Sequence, residues 1–146
     1  MAAAIINLYR LSRWRGIDTF AEPLVTILHI GFVFIPLGFL LLALGILAPD
    51  LIAPTGALHG WTAGAIGTMT LAVMTRASLG HTGQPLTATR AIRLIYGAII
   101  LAALARIAAA FFILRDTMLV VSAAAWITAF TGFCIAYAPL LMRRRS

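Results

Sequence analysis

A chain of 146 residues that is 62% hydrophobic and only 10% charged, with a mean hydropathy of +1.03, is too apolar for a water-soluble globule, which carries about a quarter charged residues. Its net charge of +7 comes from 11 arginines and no lysine. Most of them sit at the ends of apolar runs rather than on one basic face, which excludes nucleic-acid binding. A single cysteine, Cys134, excludes an internal disulfide and a cysteine-based zinc or iron–sulfur site within one chain.

The first element, residues 1–20, is a short amphipathic segment with Ile5, Leu8, Tyr9, Leu11 and Trp14 among arginines. It is expected to lie at the membrane interface, against anionic lipid. Four apolar stretches follow, each long enough to cross the hydrocarbon core as a helix of about 20 residues. They cover residues 23–47, 57–76, 91–114 and 118–142. The fold class is therefore all-α, a single four-helix transmembrane bundle. The first stretch is about twice the length of a signal-peptide core and no clear small-residue cleavage site follows it, so it is retained. Pro49, Pro54 and Gly56 close the first stretch and Gly80, Gly83 and Pro85 the second. Only Arg115, Asp116 and Thr117 separate the third from the fourth, which predicts an antiparallel hairpin.

Arginine placement sets the direction of the spans. Arg10, Arg13, Arg15, Arg76, Arg90, Arg93, Arg143, Arg144 and Arg145 fall on one side of a four-span chain, and Arg115 lies in a loop on the other. Both termini are therefore expected to be cytoplasmic.

At 100° per residue, Gly31, Gly38 and Gly45 share one stripe of the first span. Gly60, Gly64, Gly67 and Leu71 form the small face of the second, where Gly60 and Gly64 make a literal GxxxG. Such stripes let helix backbones approach closely in lipid. His29 lies opposite the first stripe, so that second side is also expected to meet protein or a cofactor. In the third span Arg106 is bordered by Ile99, Ala102, Ala103, Ala109 and Ala110. A central arginine costs about 3 kcal/mol on insertion scales. It therefore snorkels, pairs with Asp50 or Asp116, or holds an acidic ligand group such as a haem propionate. Met69 and Met74 fill gaps, and Cys134 is a small core residue.

The nitrogen ligands available are His29, His59 and His81. No pair of them has the spacing of a one-helix metal motif, and hydrolase triads lack a carboxylate inside the membrane. His29 and His59 should differ in depth by roughly 15–20 Å, so one haem does not readily take both. His29 with His81 at the inner side, and His59 with Arg106 at the outer side, both remain open. Composition alone stops at a membrane bundle with a redox or metal role.

Residues 58–86, LHGWTAGAIGTMTLAVMTRASLGHTGQPL, closely resemble a long characteristic segment of the NnrS family. Residues 13–16 (RWRG), 27–31 (ILHIG) and 35–38 (IPLG) resemble the same family in the same order. Gln84 departs from the basic residue expected there. The resemblance covers the whole chain, matched to the C-terminal third of a larger membrane protein of about a dozen spans. It implies a bacterial inner-membrane, multi-pass protein involved in nitric oxide metabolism or resistance to nitrosative stress. It further implies haem and copper, with His29, His59 and His81 as metal and cofactor-binding candidates, to which the propionate reading given above adds Arg106. Implied partners are the lipid bilayer, nitric oxide as a small ligand, and either a homo-oligomer or upstream helices of the same type. Two other readings stand beside this one: a non-catalytic helical subunit that needs separately encoded helices, and a small b-type electron carrier.

Overall fold

The computed structural model describes residues 1–14, 16–111 and 114–142. Arg15 and the terminal Arg143, Arg144 and Arg145, which the orientation argument uses, lie outside the described residues. Every described element is helical. In order they are α1 (Ala2–Ser12), a 3-10 turn (Gly16–Thr19), α2 (Pro23–Leu47), α3 (Pro54–Ala57), a π-helical segment (Gly60–Gly67) running into α4 (Thr68–His81), α5 (Arg90–Ala108), a 3-10 turn (Ala109–Phe111), and α6 (Arg115–Leu141).

Three of these are long and apolar enough to cross a membrane: α2 over Pro23–Leu47, α5 with its 3-10 extension over Arg90–Phe111, and α6 over Arg115–Leu141. The stretch expected as the second span is built differently. Ala57 ends α3, Gly60–Gly67 is π-helix, and α-helix runs from Thr68 past the expected end to His81, so no single regular helix covers it. A π-helix closes its hydrogen bonds to i−5 instead of i−4 and is rare beyond a single turn. Its occurrence here follows a run of small residues, Gly60, Ala63, Gly64, Ala65 and Gly67, all buried. None of them carries a bulky side chain that would resist the wider turn.

Helix ends follow local chemistry. Proline opens α2 at Pro23 and α3 at Pro54, where a missing N–H costs nothing. Thr89 caps α5, its hydroxyl accepting from the Ile92 amide at 3.3 Å. α6 begins at Arg115, with Leu114 just before it in the left-handed region (φ 51°). Arg115, Asp116 and Thr117, expected as the loop, instead form the first turn of α6. Asp116 there complements the positive end of the helix.

The two glycine stripes meet. A Cβ built on Gly60 would lie 2.8 Å from the Gly38 Cα, so two backbones cross at van der Waals distance. Met69 packs over Gly31, as a gap-filling side chain does. The Trp61 indole seats against Gly38 and donates to the Ile35 carbonyl at 3.0 Å. On the far side of α2, α1 and the following turn run back along the helix. Thr26 donates its hydroxyl to the Thr19 carbonyl at 2.5 Å, and Gly16 rests on His29. Trp14 stacks obliquely on Phe32 at 4.4 Å, and the Arg10 guanidinium lies 5.7 Å from the same ring.

α5 and α6 form the antiparallel hairpin expected from their short connection. The Ser122 hydroxyl donates across it to the Ala102 carbonyl at 2.8 Å. Ala102, Ala103, Ala109 and Ala110 are all buried, as the shallow face around Arg106 suggests. The main core joins Ile27, Leu71, Ile95, Ile99, Ala129 and Phe133 from α2, α4, α5 and α6. Two phenols, Tyr96 and Tyr137, are buried in it with their hydroxyls beside Thr75.

Candidate functional site

The two ends of the bundle each hold a cavity with one histidine in its wall. At the end where α5 finishes and α6 begins, a cavity of about 490 Å³ is lined by His59, Thr62, Arg106, Leu119, Ser122 and Trp126, among others. A second hollow of about 280 Å³ shares His59, Arg106 and Leu119 with it and extends to Thr55, Gly56 and Arg115. Both volumes are at or near the size of small-molecule sites. The π-helical segment starts immediately after His59, so the irregular turn and the half-buried imidazole occupy one corner of the same cavity.

The His59 Nδ1 and the Leu58 carbonyl both lie 3.3 Å from the Thr62 hydroxyl. With the hydroxyl proton on the Leu58 carbonyl, Nδ1–H donates to Thr62 and Nε2 carries the lone pair, the arrangement in which imidazole binds a metal or accepts a proton. Arg106 is close enough for its charge to act on this ring. Among the described residues no ion pair joins Arg106 to Asp50 or Asp116, so the expected structural pairing is absent and the guanidinium borders the cavity instead. What sequence reasoning missed is the contribution of α6. Leu119, Ser122, Trp126 and Ile127 line the cavity, and no periodic signal in that uniformly apolar helix marks them.

At the opposite end, where α2 and α5 begin, a cavity of about 510 Å³ is lined by Ser12, Gly16, Asp18, Phe20, Thr26 and His29, among others. The His29 Nδ1–H donates to the Val25 carbonyl at 3.2 Å, which again leaves Nε2 with its lone pair. Trp14 meets this ring edge-on at 5.8 Å. The sequence expectation that the far side of α2 meets protein is met by this N-terminal cover. His81, exposed at the end of α4, lines neither cavity. The structure thus brings His59 together with Arg106 but brings no two histidines into one cavity.

These donor sets discriminate between cofactors. One neutral imidazole beside a guanidinium fits a haem with one axial histidine and a propionate on Arg106. Copper prefers sets of imidazole and sulfur donors. Neither cavity supplies such a set, and among the described residues no three His, Cys, Asp or Glu side chains cluster to hold a metal. No chemistry is therefore derived through copper.

Comparison with known proteins returns one result. The family model described as NnrS protein matches residues 1–145. No curated protein and no solved structure matches.

Proposed function

The chain belongs to the NnrS family, and from that premise we propose that it is a haem-binding inner-membrane protein acting in nitric oxide metabolism or resistance to nitrosative stress. The observation that carries this reading is the convergence of His59 and Arg106 on one cavity. His59 Nε2 would hold the iron and Arg106 a propionate, with Trp126 and Leu119 as apolar walls. A haem bound there supplies an iron to which nitric oxide can bind.

The cavity's access suits such a ligand. Ala123 and Ile127, in its wall, lie on the exposed face of α6. That helix is the least covered of the long ones, with 17% of its apolar window buried. In a membrane this face meets lipid, and nitric oxide, small and lipid-soluble, reaches the site without a polar channel. The π/α stretch Gly60–His81 completes four spans in this reading, and positive-inside arginines place both termini in the cytoplasm. The segment after α1, with Trp14 and Gly16, then covers His29 near the cytoplasmic side.

Arg106→Leu tests the site. Loss of a charge-assisted contact of about 1.5–3 kcal/mol is expected to weaken haem retention roughly tenfold or more and to shift the redox potential. If retention and potential both match wild type in a normally folded variant, Arg106 is a structural charge and the proposed site is wrong.

A further inference from the structure

A groove between α2 and α5 answers to a chemistry that the haem reading does not use. α2 packs on α4 and on the π-helical segment, and α5 packs on the same two. Those elements therefore sit between α2 and α5 and leave an open channel along their flanks. Its volume is about 280 Å³, with Pro23, Ile27 and Ile30 on one wall and Arg93, Gly97 and Ile100 on the other.

Three features of the groove point in one direction. Arg93 stands in the first turn of α5, level with Pro23 in the first turn of α2, so a cation marks the mouth at the membrane surface. Inward from it, over the seven residues to Ile100 and about 10 Å of helix, the lining is mostly apolar, with Tyr96 and Thr26 as its polar side chains. Gly97, midway, faces open space: a Cβ there would meet nothing within 4 Å. A glycine inside a helix weakens it by up to about 1 kcal/mol, and no contact inside this chain requires one here.

A positive mouth over an apolar trough with a gap at its centre matches an amphiphile with an anionic head. We propose that the groove holds one anionic phospholipid, its phosphate on Arg93 and an acyl chain laid over Gly97. A free phosphate would use Arg93 but not the trough, and a zwitterionic lipid would use the trough with less gain from Arg93. The inference rests on the bundle being embedded in a membrane and is independent of the haem.

The test uses the full chain in nanodiscs of phosphatidylglycerol or phosphatidylcholine, followed by transfer to detergent and native mass spectrometry. Wild type is expected to keep one phosphatidylglycerol and to keep it in preference to phosphatidylcholine. Arg93→Gln should lower that retention about fivefold. Gly97→Leu, whose side chain enters the trough, should lower retention of both lipids while leaving helicity unchanged. Arg13→Gln, away from the groove, should behave as wild type. Equal retention of the two lipids by wild type, or undiminished retention by Arg93→Gln and Gly97→Leu, would overturn the proposal. Displacement of the bound lipid by inorganic phosphate without loss from Gly97→Leu would overturn it too.

Discussion

Gly60→Leu is expected to destabilise the bundle more than any other single substitution considered above. The Cβ it introduces lies 2.8 Å from the Gly38 Cα and 3.3 Å from the Gly38 amide nitrogen, so the obstruction is backbone and cannot rotate away. The remaining space is bounded by Leu41 at 3.2 Å. To relieve the clash, α2 and the π-helical segment must separate. That pulls the Trp61 indole off the Ile35 carbonyl and breaks its edge-on contact with Phe39 at 4.8 Å. Overpacking of side chain on side chain costs about 1–3 kcal/mol, and backbone on backbone belongs at or above that upper end. Membranes supply little hydrophobic force to hold such helices together once their packing is lost. Thermal unfolding in detergent should show a large fall in midpoint for Gly60→Leu. Gly80→Ala, where nothing lies within 4 Å, should show little change. Comparable midpoints for Gly60→Leu and wild type would mean that the crossing is not as close as described.

His59→Ala is expected to abolish stable haem binding while leaving the bundle folded. The ring is half-buried, and its one hydrogen bond to protein is that with Thr62, on the same helical segment, so its removal breaks no hydrogen bond between elements. Loss of an orienting partner of a metal ligand alone costs about 10–100-fold in affinity, and loss of the ligand itself should exceed that. His29→Ala serves as the comparison. It lies in a different cavity at the other end of the bundle and should leave haem content at the His59 site unchanged. The two variants are read by haem-to-protein ratio after purification. Equal loss in both would mean that one cofactor depends on both histidines, in conflict with their separation.

Much of the architecture was legible in the sequence because lipid imposes simple rules. The bounds of α2 coincide with the first apolar stretch, and the α5–α6 hairpin follows from the shortness of the break, though Arg115 and Asp116 open α6 rather than form its loop. The glycine stripes of residues 31–45 and 60–67 were recognisable as close-approach surfaces, and they meet at Gly38 and Gly60, while Gly67 takes the Trp126 ring of α6. Their local geometry was not. Nothing in Gly60–Gly67 distinguishes π from α, since its small residues permit the wider turn without requiring it. The pairing of His59 with Arg106 could be read from depth, both residues lying near the same end of their helices. The Trp126 wall could not, because α6 is apolar on all sides. The cover that Gly16 and Trp14 place over His29 was also hidden, since an amphipathic segment reads alike whether it meets lipid or another helix.

The central claim is that this chain by itself forms a haem site at His59 and Arg106. The most direct test is the visible absorption spectrum of the detergent-purified protein, oxidised and reduced, before and after addition of nitric oxide, with iron and copper measured on the same sample. A Soret band that shifts on reduction and again with nitric oxide, with iron present, is the expected result. A colourless protein containing no iron would contradict the account and leave the bundle as a helical partner for other chains.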